Sequence, residues 1–491
     1  MIRPVPTDAY PTATSTAQAE TEKVLLVHLP LRDNNAPATL QKNAHMQFLI
    51  RNLVQGFPAR YTSQDASQSW LMYWTLQAFS VLQVGLDPGN KQKAIDTIMA
   101  WQHPDGGFGG GPKQAAHLLP TYAAVCALAI AGRPGEGGGW DQIDRKKMYN
   151  FFMSLKQPDG SFLVAHHSEV DVRGIYCLLV TATLLDIITP ELVEGTAGFV
   201  ASCQTYEGGF SSASQPYYAP PATLGAPPTL LDSPRPPLGE AHGGYTFCAL
   251  ASWVMLQPLL PPPQAKINKK ALVRWLVQMQ GAPIELGGFK GRTNKLVDGC
   301  YSWWVGGAFA LLESIGIDPA SVLPASPEKE KEDDAEWDDI DDSLMNRTAL
   351  QEYILYAGQH PAGGLRDKPP KHADSYHTLY CLAGLSSAQH KVFPSPARRK
   401  ELLDSWTAPA EGEDKDTKAT EDERRKRVFT HALSYTEEEG TETIVGGPPN
   451  RVNATHPLFN LTITHTEAIM SHFYGQAVPP RIFKRAAAPK T

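Results

Sequence analysis

The sequence predicts an all-α protein, an array of stacked helix pairs that on closure makes an α/α toroid, a barrel of helical hairpins around a central cavity. Three observations carry this. From about residue 41, apolar side chains recur at helical spacing, as in 68–84, where Trp70, Leu71 and Trp74 alternate with polar positions. Runs of β-branched residues with a period of two are scarce. A Gly-rich turn also repeats along the chain. It reads Gln102-His-Pro-Asp-Gly-Gly-Phe108, then Gln157-Pro-Asp-Gly-Ser-Phe162, then Gln204-Thr-Tyr-Glu-Gly-Gly-Phe210. Gln280 with Gly287-Gly-Phe289 continues the series, and Gln359-His-Pro-Ala-Gly-Gly-Leu365 is a weaker copy.

Each copy sits after one helix and before the next, where Gly supplies dihedrals other residues avoid. The first two Gln-to-Gln spacings are about 50 residues and the last two nearly ~80, as insertions would make them. Helix pairs too apolar on one face to stand alone bury that face on their neighbours. Residues 1–40 read as a flexible N-terminal segment, 41–477 as the repeat domain and 478–491 as a tail. Three insertions interrupt the domain: 213–239, rich in Pro, Ala and Ser; 324–342, acidic; and 408–427, charged. Beyond them, Thr455-His-Pro-Leu-Phe-Asn460 reads as ordered and Thr464 to Tyr474 as a last helix.

With 42% hydrophobic and 19% charged residues, the chain can bury a large core. A net charge of −7 argues against nucleic acid as a general partner, so any basic site must be local. The six cysteines are scattered with no C-x-x-C pair, which fits a reducing compartment. The first 20 residues lack an apolar signal core, and no run is long enough for a transmembrane segment. The expectation is a cytoplasmic protein, with the sequons at Asn346, Asn453 and Asn460 as chance matches.

One stretch concentrates chemistry: Arg292-Thr-Asn-Lys295-Leu-Val-Asp298-Gly-Cys300-Tyr301-Ser-Trp-Trp304. Residues three or four apart share a helix face, so Arg292 and Lys295 can reach one anion. Asp298 and Cys300 can hold one metal ion as neighbouring ligands. Asp is also a common N-cap, here ahead of a helix-like run from Tyr301 to Glu313, and a buried Cys is usually an inert hydrophobe. The pair alone therefore does not make a site. It needs further ligands from elsewhere in the chain.

Six blocks then match a known family in order. They are Ser67-Gln-Ser-Trp70-Leu-Met-Tyr-Trp74, Pro120-Thr-Tyr-Ala-Ala-Val125, Glu169-Val-Asp-Val-Arg173, Glu240-Ala-His242-Gly-Gly-Tyr245-Thr-Phe-Cys248, Asp298-Gly-Cys300-Tyr301 and Asp374-Ser-Tyr376-His377-Thr. The chain resembles the β subunits of protein farnesyltransferase, from about Tyr61 to Ser387, with a shorter echo at 455–474. The resemblance implies an α/α toroid that binds a helical α subunit. It also implies transfer of a farnesyl group from farnesyl diphosphate to the cysteine of a C-terminal C-a-a-X motif.

The resemblance supplies His377 as the third zinc ligand beside Asp298 and Cys300; from sequence alone, His360 and His372 remain rivals. Three ligands leave a fourth zinc position open, the pattern of a catalytic site. Further transfers are His242, Arg292, Lys295 and Tyr301 for the diphosphate, with Lys295 and Tyr301 also acting in catalysis. Asp367 stands where farnesyltransferases carry an aspartate linked to Mg²⁺. Trp304, Tyr245, Tyr176, Cys248 and the stem of Arg173 match the lipid wall. Ser67, Trp70, Trp74, His117, Glu169, Arg173 and Tyr376 match the peptide contacts. Trp70 argues for the C15 donor over the C20 donor of geranylgeranyltransferase I, the alternative with the same chemistry.

A terpene cyclase is the remote alternative, because Asp338-Asp339-Ile340-Asp341-Asp342 fits two cyclase acid motifs. Its charged surroundings favour a solvated run. The basic run from Arg424 to Arg427 resembles a nuclear signal, but flanking acids favour a mobile loop. A non-catalytic helical scaffold is the remaining reading, and it predicts neither zinc nor diphosphate affinity.

Overall fold

A computed structural model describes residues 4–29, 38–216, 218–219, 229–230, 235–260, 265–317, 344–407 and 415–476. Sixteen of the helices among the described residues set out the chain's architecture. The first half holds α1 (Ala13–Leu26), α2 (Lys42–Ile50), α3 (Gln68–Val81), α4 (Pro88–Met99), α5 (Leu118–Ala131), α6 (Arg145–Leu155), α7 (Val172–Leu184) and α8 (Thr196–Ser202). The second half holds α9 (Gly243–Leu256), α10 (Lys269–Gln278), α11 (Tyr301–Trp304), α12 (Arg347–Glu352), α13 (Ser375–Gln389), α14 (Pro396–Ser405), α15 (Lys415–Ala432) and α16 (Ile463–Tyr474).

Six of these form a closed inner ring. Helix α3 packs on α5, α5 on α7, α7 on α9, α9 on α11, α11 on α13, and α13 back on α3. The inner helices are apolar nearly all round, as α5 shows: every residue from Pro120 to Ala131 is buried. The ring is stitched at one rim. The first amide of each inner helix, or in α11 that of Gly299 just before it, donates to the loop ahead of the next. These bonds are Gln68 to Gly110 O at 2.7 Å, Leu118 to Val164 O at 2.8 Å, Val172 to Ser212 O at 2.8 Å, Gly243 to Gly291 O at 2.7 Å and Gly299 to Asp367 O at 2.9 Å. Ser375 closes the circle on the Tyr61 hydroxyl at 3.1 Å. All six N-termini therefore face the same side, and the fold is the α/α toroid.

The repeated turn explains the stitching. In three copies the amide of its last residue, Phe108, Phe210 or Leu365, donates to a Thr hydroxyl one turn into the next inner helix, each at 2.9 Å. Gly208 sits at φ +113°, and a Cβ there would lie 2.1 Å from Ala271 O of α10. Gly208→Ala is expected to destabilise the protein by at least about 2 kcal/mol, through backbone strain and a clash that backbone cannot relieve. The urea midpoint of the purified protein measures it; an unchanged midpoint contradicts this account of the turn.

The far end of the ring is closed. Residues 455–461 cross it and accept hydrogen bonds from three inner-helix tyrosines. Tyr73 Oη donates to Asn460 O at 2.8 Å, Tyr122 Oη to Phe459 O at 3.1 Å and Tyr176 Oη to Leu458 O at 2.9 Å. The barrel is blind at that end and approachable from the rim.

Three sequence expectations change. The N-terminal segment read as flexible carries α1, whose Leu25 is buried and whose Gln18 donates to buried Glu285 at 2.9 Å. The charged stretch 408–427 read as a mobile loop ends in α15, where Arg425 pairs with Asp186 at 2.7 Å and Arg424 reaches Ile188 O, both arginines being buried. Arg425 neutralises a buried carboxylate and Arg424 satisfies a carbonyl in the loop after α7, so they are not displayed as a signal. The helix expected over Tyr301 to Glu313 is a single α-turn followed by 3₁₀ segments at Gly306–Leu311 and Glu313–Ile315, because Gly306 and Gly307 interrupt it. At the 213–239 insertion, Ala213–Ser214 pairs with Pro237–Leu238, and Arg235 is anchored on Asp159 at 2.6 Å. The Asp338–Asp342 cluster lies outside the described residues.

Candidate metal centre at the rim of an aromatic barrel

Asp298 and Cys300 lie at the start of α11, and His377 is in the first turn of α13. The neighbouring helices bring them together, so that one ligand atom from each lies within 4.8 Å of the others. Among the described residues this is the one group of three or more potential ligands. His360 and His372, the sequence rivals, face each other at 6.0 Å and do not join it.

Local chemistry fixes each ligand. Asp298 Oδ1 accepts the Cys300 amide at 2.9 Å, which folds the Asp-Gly-Cys turn back on itself. Gly299 is required inside that turn: a Cβ would lie 2.6 Å from Cys381 Sγ and 2.7 Å from Arg366 O. His377 is held by Asp374, which the sequence reading quoted only within its block. Asp374 Oδ1 caps α13 by accepting the His377 amide at 2.8 Å, and Oδ2 contacts His377 Nδ1 at 2.6 Å. With Nδ1 occupied, Nε2 is the atom turned toward Asp298, 3.3 Å from Oδ1.

The electrostatics follow from those contacts. Burial lowers the His377 pKa, but hydrogen bonds to Asp298 and Asp374 outweigh it and raise the value to about 10. Burial raises Asp298, yet the His377 contact and the Cys300 amide bring it below the usual carboxylate range. Burial and the Asp298 charge push the Cys300 thiol far up. A divalent cation taking Nε2 and Sγ displaces both protons, so affinity for it must rise with pH.

A cationic cluster flanks the centre. His242 N-caps α9, its Nδ1 accepting the Gly244 amide at 3.1 Å. The neutral ring therefore carries its proton on Nε2, which lies 3.0 Å from Tyr301 Oη. Burial, then the Arg173 charge, lowers the His242 pKa and favours that neutral form. Arg292 pairs with Glu240, and Lys295 is exposed on the same loop. Arg173 pairs with Asp171 at 2.7 Å and lies 5.3 Å over the Tyr245 ring. The inner-helix N-termini add partial positive charge on the same side.

Below the rim, aromatic rings follow one another around the barrel from helix to helix. Trp70 contacts Tyr122 at 5.4 Å, Tyr122 contacts Tyr176 at 5.4 Å, Tyr176 contacts Phe247 at 5.7 Å and Phe247 contacts Trp304 at 5.5 Å. Trp304 then contacts Tyr380 at 4.6 Å, Tyr380 contacts Tyr376 at 4.7 Å, Tyr376 meets Trp74 edge-on at 5.3 Å and Trp74 contacts Trp70 at 5.6 Å. Six of these contacts join adjacent helices, and the Tyr376–Tyr380 and Trp70–Trp74 pairs each lie within one helix. Trp70, Trp74, Tyr245, Trp304 and Tyr376 stay partly exposed although they stand on inner helices, while Tyr176 and Cys248 are buried deeper. Trp304 Nε1 also donates to Tyr376 Oη at 2.9 Å, bracing the wall beside the metal ligands.

Ser67, His117 and Glu169 stand at the rim before α3, α5 and α7. Ser67 is the residue before α3, and His117 caps α5 with Nδ1 on the Leu119 amide at 3.1 Å. Glu169 is exposed and accepts from Ser168 Oγ at 2.5 Å. Asp367 is tied to the metal loop through its carbonyl, and its carboxylate contacts Lys368 Nζ at 2.6 Å. Sequence reasoning assigned no role to Tyr122, Phe247 or Tyr380. A usable signal was present: Tyr122 and Phe247 each follow the Thr that receives the turn's amide.

An all-α ring with a candidate metal centre at the mouth of an aromatic barrel defines a class, and the model of the Prenyltransferase alpha-alpha toroid domain matches residues 40–461. The chain is 36% identical over 408 residues to the protein farnesyltransferase subunit beta of Pyricularia oryzae, covering 78% of this chain and 71% of that one. It is 37% identical over 381 residues to that of Schizosaccharomyces pombe, covering 77% and 84%. The geranylgeranyl transferase type-1 subunit beta of Arabidopsis thaliana is more distant, at 26% over 388 residues, covering 73% and 87%. Among solved structures, Candida albicans protein geranylgeranyltransferase-I complexed with GGPP shares the fold with a TM-score of 0.57 at 19% identity, over 89% of this chain and 99% of that one. The chain belongs to the protein farnesyltransferase β-subunit family. No helix among the described residues is long and apolar enough to cross a membrane.

Proposed function

We propose that this chain is the catalytic β subunit of a zinc-dependent protein farnesyltransferase, working with an α subunit in the cytoplasm. The convergence of Asp298, Cys300 and His377 beside a cationic cluster and above an aromatic barrel carries the reading. The donor set fits zinc: one thiol, one imidazole and one carboxylate, with room for a fourth ligand. Asp298, Cys300 and His377 would hold the zinc, whose charge would supply the lowered thiol pKa that keeps a C-a-a-X cysteine ionised at neutral pH.

The chain's own residues do the rest. The aromatic wall of Trp304, Tyr245, Tyr176, Cys248 and the Arg173 stem takes the farnesyl chain. His242 Nε2–H donates to Tyr301, leaving the Tyr301 hydroxyl proton for an anion. Burial, together with the Cys300 and Asp298 charges, raises the Tyr301 pKa, so the phenol keeps that proton. His242, Arg292, Lys295 and Tyr301 stabilise the charge that grows on diphosphate as the C1–O bond breaks and the C–S bond forms. Ser67, Trp70, Trp74, His117, Glu169, Arg173 and Tyr376 orient the peptide. Asp367 binds Mg²⁺ with the diphosphate oxygens.

The test is zinc content and farnesyl transfer to a C-a-a-X peptide by the co-expressed αβ pair. About one zinc per pair with transfer supports the reading, and a pair with neither refutes it. A finer prediction concerns Asp374→Asn. The Asn carbonyl keeps the helix cap, but its amide donates to Nδ1 and moves the imidazole proton to Nε2. Zinc affinity is expected to fall about 10- to 100-fold, read by chelator competition, with thermal stability of the zinc-free protein nearly unchanged.

A further inference from the structure

Lys368 and Asp367 touch at 2.6 Å, with side chains only 12% and 18% exposed. The backbone of Asp367 is pinned, because its carbonyl accepts the Gly299 amide at 2.9 Å and the Tyr353 hydroxyl at 2.7 Å. Lys368 has a flexible stem and is the partner that can leave. Asp298 also bears on Asp367: burial first, then the Asp298 charge, raise its pKa, and Lys368 and His377 oppose them. A divalent cation and the Lys368 ammonium compete for the same carboxylate oxygens, since Mg²⁺ is held by one or two carboxylates together with phosphates.

We propose that Lys368 is the built-in counter-ion of Asp367, which a divalent cation must displace, so that Lys368 sets how much Mg²⁺ the enzyme requires. The inference rests on the reading of Asp367 as the Mg²⁺ ligand. It adds a residue that tunes the metal site through its neighbour.

The test uses the zinc-loaded αβ complex with inorganic diphosphate and follows Mn²⁺ binding by electron paramagnetic resonance. Lys368→Gln keeps a donor to Asp367 and removes the charge. It is expected to tighten Mn²⁺ about tenfold, while Lys368→Arg stays near the parent. Asp367→Asn is expected to weaken Mn²⁺ and to make a second change at Lys368 indifferent. If Lys368→Gln leaves Mn²⁺ affinity unchanged or weaker while Asp367→Asn reduces it, the counter-ion role is wrong. If Asp367→Asn itself has no effect, the Mg²⁺ reading of Asp367 fails instead. Circular dichroism and thermal melting of each variant confirm that the complexes compared are folded.

Discussion

Cys300→Ala is expected to take the zinc content of the αβ enzyme from about one equivalent to near zero, and to lower peptide farnesylation at least ~10³-fold. The two ligands that remain explain the size of the effect. Asp298 and His377 lie 3.3 Å apart and satisfy each other without a metal, so removing the thiol leaves an ion pair as the favoured state. Zinc must then break that pair without gaining a thiolate. The change removes one sulfur from a side chain that is 4% exposed, and the Asp298–Cys300 amide bond is made by backbone and survives. The zinc-free fold should melt almost as the parent does, which separates loss of metal from loss of structure. Full zinc and full activity in this variant contradict the assignment.

Trp70→Ala is expected to raise the preference for geranylgeranyl over farnesyl diphosphate by at least ~100-fold in kcat/KM. Trp70 sits in the aromatic circuit between Tyr122 and Trp74, at 5.4 and 5.6 Å, on the inner helix α3. Its indole occupies volume that a longer isoprenoid needs. The residue is partly exposed to the lumen, so truncation opens space with less loss of packing than in a sealed core, where Trp→Ala costs about 3–5 kcal/mol. Competing the two diphosphates over one C-a-a-X peptide measures the ratio. An unchanged ratio means that another residue limits chain length.

Much of this was legible in the sequence for identifiable reasons. The Gly-rich turns could be read because positive φ and close approach leave few alternatives to Gly, as at Gly208. Asp298 and Cys300 were legible as a pair because they are two residues apart. His377 came from the resemblance, since a partner 79 positions away cannot be placed by spacing. Arg425 and Asp186 were missed because charged residues usually face water, and nothing local marks a pair formed across 239 positions. The helix α1 was missed because a polar, Thr- and Ala-rich segment has little intrinsic reason to dock. Its docking depends on Gln18 finding Glu285, a contact made across 267 positions. The aromatic circuit was half seen, as Tyr122, Phe247 and Tyr380 look like ordinary core until the ring closes.

X-ray absorption at the zinc edge of the unmodified αβ complex is the most direct test of the account. It predicts one bound zinc with a single sulfur neighbour at about 2.3 Å and lighter nitrogen and oxygen neighbours near ~2.0–2.2 Å, and a second sulfur shell when a C-a-a-X peptide is added. A preparation without zinc, or with zinc lacking any sulfur neighbour, contradicts it.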